Sequence, residues 1–220
     1  MNYQSIILLF LFVVSHIAFA AEKEKTCNEA DWNCHGSFYI TAGYVFVHTL
    51  FQDNILSLDP PDQATINFSP QSSFPNNASG MRFGFSSGFG LNLPLSYELD
   101  YNQVFTHSQI NNDLKISRAS KSIVGTLAYT VNPKSRLRLS LVAGASVIST
   151  YLTATTVSPR PFFSQNTNSV DVDPFFGGSI SYQINSKLAI RGVEFYDMAT
   201  YNRGADGALV TLVMLNYYPG

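Results

Sequence analysis

Between Ser79 and Tyr101 the chain reads SGMRFGFSSGFGLNLPLSYELDY, with large apolar residues on every second position on both sides of one turn. Met81, Phe83, Phe85 and Phe89 precede the turn, and Leu95, Tyr97, Leu99 and Tyr101 follow it. Gly, Ser, Arg, Glu and Asp stand between them. A period of two puts each set on its own face of a β-strand, so the stretch is a hairpin with one apolar and one polar face. Such a hairpin has two solutions. The bulky face covers a core while the small and charged face meets water, or the bulky face meets lipid around a crowded polar interior.

Composition bears on the choice. Only 13% of the 220 residues are charged, against about 25% in typical soluble domains. Aromatics reach 14%, with 17 Phe and 12 Tyr, while overall hydropathy is ordinary. Few charges, many aromatics and much Gly, Ser, Thr and Asn fit a barrel better than a helical membrane protein. A net charge of −2 gives no support for nucleic-acid binding. No residue pattern implies a cofactor.

The N-terminus reads as a targeting segment. Ile6 to Val14 is an apolar run, and Ala18-Phe19-Ala20 supplies a small-x-small cleavage pattern. The expected organisation is a cleaved signal peptide over 1–20, a periplasmic segment over 21–36 and a barrel over 37–218. No later run approaches about 18 uninterrupted apolar residues, so no transmembrane helix is expected. Cys27 and Cys34 are the only two cysteines, and in an oxidising compartment they are expected to pair. His35 is the one imidazole near them, too few ligands for a metal site.

Eight segments carry strand signals: Phe38–Thr49, Gly80–Leu91, Leu95–Thr106, Ala119–Val131, Arg136–Leu152, Val172–Ile184, Lys187–Met198 and Gly207–Tyr218. Asn92-Leu93-Pro94, Asn132-Pro133-Lys134-Ser135 and Asn185-Ser186 are tight-turn sequences. The alternate connections, Leu50–Ser79, His107–Arg118, Thr153–Asp171 and Ala199–Asp206, are longer and rich in Asn, Ser, Pro and Thr. Short and long connections alternating around an even strand count fit an outer-membrane barrel with short periplasmic turns and long outer loops. A soluble sandwich or lipocalin-like barrel would show the same alternation with inside and outside exchanged. The low charge of the polar face and the loop rhythm argue against it. In the seventh segment Leu188 and Ile190 set the outward face, which turns Arg191 inward and Glu194 outward. A bulge near Gly192-Val193 is expected to return Glu194 to the lumen. The eighth segment is apolar on both faces, and its pairing with the first is inferred from the count.

A signal peptide, eight strands, short inner turns and a C-terminal strand ending in Tyr217-Tyr218 resemble the small outer-membrane β-barrel family typified by OmpA and OmpX. The resemblance covers about Phe38 to Tyr218 and is architectural. It implies an eight-stranded antiparallel transmembrane up-and-down barrel in the bacterial outer membrane of a Gram-negative cell. Outer-membrane lipid and lipopolysaccharide would surround it, and the barrel-assembly machinery would be its partner during biogenesis. Pro219-Gly220 follow the final aromatic pair, and no peptidoglycan-binding domain follows the barrel, so that tethering role does not carry over.

The inward charges are the sharpest feature. Glu98, Asp100, Arg138, with Arg136 at its rim, and Arg191 can meet across a narrow lumen, Arg82 sits higher near the outer end of the second segment, and the bulge would add Glu194 to this ion-pair network. Buried charges are tolerable only when paired and hydrogen-bonded. The first expectation is an ion-pair network that plugs the lumen of a monomeric structural or surface-interaction protein, with any surface partner held by the outer loops. The alternative is a narrow pore for ions or small solutes. The second alternative is a lipid-modifying enzyme. His48-Thr49 and His107-Ser108 are sequence neighbours on alternate faces, which is no ready base–nucleophile pair, so no enzyme is expected. Tyr44, Phe46, Tyr97, Tyr101, Phe105, Tyr129, Tyr151 and Tyr182 read as interface girdles.

Overall fold

The computed structural model describes residues 38–52, 55–58, 65–88, 94–111, 114–133, 135–156, 164–198 and 205–219. The expected signal peptide, periplasmic segment and Cys27–Cys34 pair lie outside them. Among the described residues ten strands form: β1 (Phe38–Phe51), β2 (Leu56–Leu58), β3 (Ile66–Phe68), β4 (Asn77–Gly88), β5 (Leu95–Asn111), β6 (Leu114–Thr130), β7 (Leu137–Thr156), β8 (Ser164–Gln183), β9 (Leu188–Asp197) and β10 (Ala205–Tyr217). A single helical turn, α1 (Pro70–Ser73), precedes β4.

Eight strands close into an antiparallel barrel in the order β1-β10-β9-β8-β7-β6-β5-β4, while β2 and β3 pair with each other. The paired residues run from Tyr39 through Ser86, Glu98, Thr126, Gly144, Phe175, Asp197 and Ala208 back to Thr49, ten positions further along β1. A stagger of that size tilts the strands by about 40° and leaves an interior that side chains fill. β10 closes the ring on β1 without a break from Ile40–Tyr217 to Leu50–Gly207.

The alternation resolves with the bulky face outward. Met81 and Phe83 on β4, Leu137, Leu139, Leu141 and Val147 on β7, and Val213 and Leu215 on β10 are all exposed. Their neighbours Arg82, Ser86, Val142, Ser146, Leu212 and Asn216 are buried inside. A wall of that composition suits hydrocarbon, where closure also removes every sheet edge. At the near end, where the described chain begins and ends, the register sets Tyr129 beside Leu95, Tyr182 beside Leu137 and Tyr217 beside Leu188. All three tyrosines are exposed, as an interface girdle requires.

The near-end turns are short and built on asparagine. Asn132 Oδ1 accepts from Leu139 N–H at 2.7 Å, and its Nδ2 donates to Leu137 O at 2.6 Å. Asn185 Oδ1 accepts from Lys187 N–H at 2.8 Å and Leu188 N–H at 2.9 Å. The far end departs from expectation. The stretches read as loops, His107–Arg118 and Thr153–Asp171, are largely strand: β5 extends to Asn111, β6 begins at Leu114, β7 runs to Thr156 and β8 starts at Ser164. Apart from Leu114 and Ile116, which are buried, these extensions are largely Ser, Thr, Asn and Gln, so most of their length lacks the apolar alternation that marks a membrane strand.

Candidate functional site: an ion-paired lumen

Strands β4, β5 and β9 bring four of the inward charges into two buried ion pairs. On β4 and β5, Arg82 lies one inward step from Asp100, since Arg82 pairs with Asn102 and Gly84 with Asp100. The Arg82 Nη2 donates to Asp100 Oδ2 in a salt bridge. Gly84 makes this pair possible, because a Cβ there would collide with the Asp100 carboxylate. Across the lumen, Arg191 Nη1 on β9 donates to Glu98 Oε1 on β5. Tyr39 on β1 joins them: its hydroxyl donates to Glu98 Oε1 at 2.8 Å and accepts from Arg191 Nη1 at 3.0 Å. Tyr39 also packs on Tyr218, with ring centroids 5.1 Å apart. Arg82, Glu98, Asp100 and Arg191 are each no more than 4% exposed.

Three expected members stand elsewhere. Arg138 is half-buried at the near rim, where its Nε donates to Ser135 O at 3.2 Å. Arg136 is exposed, and it clamps the β8–β9 turn by donating Nε to Gln183 O and Nη2 to Ile184 O, both at 2.9 Å. Glu194 is corrected outright. β9 pairs without a break with β8 and β10, so no bulge forms near Gly192-Val193, and Glu194 faces outward beside Thr211 and Gly178. Exposed Phe176, Ile180 and Val213 stand diagonally next to it on the apolar wall.

An apolar belt sits above and beside the charges. Val45, Val124, Val142, Phe175, Val193, Phe195, Val210, Leu212 and Met214 form one buried cluster, with the Phe175 and Phe195 rings 4.6 Å apart. Gly144 leaves room for the Phe175 ring, which a Cβ there would strike, and Gly177 lets the β9 backbone at Glu194 and Phe195 come close. This belt explains why the last strand is apolar on both faces: Val210, Leu212 and Met214 fill the lumen while Leu209, Val213 and Leu215 face out. The sequence carried that signal, but it does not say which of two apolar faces is inside.

The register slips in β5 between Val104 and His107, and again between β1 and β10 after Leu50. The slip in β5 brings His107 to Ser79, an approach that sequence neighbours could not show. His107 Nε2 lies 3.4 Å from Ser79 Oγ and accepts Ser79 N–H at 3.3 Å, while Nδ1 meets Phe105 O at 2.8 Å. The ring thus supplies the acceptor that the slipped strand no longer offers to β4. A nitrogen occupied by a backbone N–H is a structural use of the imidazole. His48 faces outward, with Nδ1 2.7 Å from Asn77 Oδ1.

The closed eight-stranded barrel is also the fold of solved structures. Neisserial surface protein A aligns over 84% of this chain and 98% of its own, at 12% identity and a TM-score of 0.52. Ail, the attachment invasion locus protein of Yersinia pestis, aligns over 82% of this chain and 96% of its own, at 10% identity and a TM-score of 0.50. The chain has the fold of a small outer-membrane β-barrel. No family model and no curated protein matches it by sequence. The barrel also aligns at a TM-score of 0.50 with Ail in complex with the heparin analogue sucrose octasulfate.

Proposed function

We propose that this protein is a bacterial outer-membrane surface barrel that works through its far end, with the lumen closed to solutes. The height of the far wall carries the reading. A strand climbs about 2.5 Å along the barrel axis per residue at this tilt. β7 and β8, with 20 residues each, therefore climb about 50 Å, twice the ~25 Å apolar band of such barrels. β9, with 10 residues, climbs about half as far. One side of the barrel stands well clear of the lipid.

That raised wall is a built surface. α1 packs against it: Gln109 Nε2 donates to Ser72 O at 2.7 Å, and Asn111 Nδ2 to Ser72 Oγ at 3.1 Å. Phe74, beside α1, is buried with Leu114 and Ile116 and stacks on Phe51 at 5.1 Å. Ordered polar surface projecting from a membrane suits recognition. The name of one structural neighbour, attachment invasion locus protein, agrees in kind.

The test removes the wall and keeps the barrel. Residues 107–118 and 152–171 are each replaced by a tight turn, and attachment of expressing cells to surfaces and other cells is compared with wild type. The reading expects a folded barrel that has lost attachment. Undiminished attachment by a folded, wall-less barrel would refute it. The second reading, a narrow pore, draws on Arg82, whose Nε and Nη1 carry no hydrogen bond although both are buried. A guanidinium held by one nitrogen is free to exchange partners.

A further inference from the structure

We propose that the outer wall of β5 to β8, at the far rim of its apolar band, binds a phosphate group of a glycolipid headgroup in the surrounding leaflet. The register fixes where hydrocarbon ends on this side. Tyr101, Ile123, Val147 and Val172 stand side by side across β5 to β8, and all four are exposed. The next outward row toward the far end holds Gln103, Lys121 and Ser149. The wall turns from apolar to polar between these two rows. Lys121 stands about 20 Å above the girdle residue Tyr129 on the same strand, at about 2.5 Å of climb per residue. That matches the ~25 Å height of the apolar band. Phe105 and Tyr151, just beyond Gln103 and Ser149, are exposed aromatics of the kind that mark such a boundary.

Charge and donors define the ligand. On the outward face of β5 to β8, among the described residues, the charged side chains are Lys115 and Lys121, and no carboxylate stands there. Neither lysine has an ion pair or a side-chain hydrogen bond among those residues. The amides near Lys121 present donors. Gln103 lies directly opposite Lys121 on β5, and its Oε1 accepts from the Tyr101 hydroxyl at 3.5 Å. Asn168 on β8 accepts at Oδ1 from the Ser149 hydroxyl at 3.2 Å. Gln103 Nε2 and Asn168 Nδ2 therefore remain as donors on either side of the ammonium. An ammonium between two amide NH2 groups offers only donors, which selects an acceptor-only anion such as phosphate. Lys115 continues the same face about 15 Å higher. Phospholipid headgroups add only about 5–8 Å per leaflet, so a second cation at that height fits a taller sugar headgroup.

The site rests on a far end that faces the outer leaflet. A barrel that fails the attachment test can still pass this one, because Gln103 and Lys121 lie below the wall which that test removes. The experiment places the refolded protein in phosphatidylcholine nanodiscs with rising fractions of lipid A, a phosphorylated and acylated disaccharide. Dephosphorylated lipid A, phosphatidylglycerol and inorganic phosphate serve as controls. Side-chain amide resonances of Gln103 and Asn168 report the site, and the Val45 methyls report the lumen. The expected result is saturable movement of both amides by phosphorylated lipid A alone, with Val45 still. Affinity should fall about tenfold in Lys121→Gln, as loss of a charge-assisted hydrogen bond implies, and hold in Lys121→Arg. Lys121 is exposed, so both variants keep the barrel. Amides that stay still, an equal response to dephosphorylated lipid A or to inorganic phosphate, an equal response to phosphatidylglycerol, Val45 methyls that move as far, or undiminished binding by Lys121→Gln would each overturn the proposal.

Discussion

At the scale of single residues, the lumen is a set of groups that tolerate burial only together. Replacing Glu98 by Gln leaves the Arg191 guanidinium, 4% exposed, without its counter-charge. The expected loss is about 3–5 kcal/mol of unfolding free energy, read by urea titration in lipid. Glu98→Gln combined with Arg191→Met should lose clearly less than the sum of the single changes, and strict additivity would mean that the two groups do not interact. Gly84→Ala must push the Asp100 carboxylate off Arg82. Glu194 is the opposite case, a carboxylate on the lipid-facing wall. Glu194→Val should stabilise the barrel in lipid by about 1 kcal/mol, and a loss of stability would give that carboxylate a structural role. The buried pairs were legible as charges on the polar face of an alternating strand. Glu194 was not, because the reading assumed that a charge must lie inside and supplied a bulge to put it there.

At the scale of elements, what could be read depended on contrast. β4, β5 and β7 alternate bulky with small or polar residues within the apolar band, and their facing follows from period two alone. Beyond the band β5, β7 and β8 are largely polar on both faces, so Gln109, Asn166 and Asn168 look like loop although they continue the ladder. The bulge after Val104 has no glycine or proline to announce it, and it is what carries His107 to Ser79. Turns were legible, since their asparagines do the bonding. Asn185→Ala should cost about 1–2 kcal/mol by removing two acceptor contacts from the β8–β9 turn. A change within error would mean that strand pairing alone holds the turn.

At the scale of the whole molecule, two halves of one lumen differ. The near half is filled by ion pairs, tyrosines and the apolar belt, and the far half keeps open space beneath a raised wall. A filled near half and a raised far wall suit a surface protein better than a conduit. The direct test is single-channel recording of the refolded wild-type barrel in planar bilayers, with Glu98→Gln and Arg191→Met alongside. A closed lumen predicts a silent wild type that folds in lipid, with variants that unfold more easily and show no steady conductance. A steady wild-type conductance whose size or ion preference changes in those variants would place the Glu98–Arg191 pair in a permeation path and contradict the account.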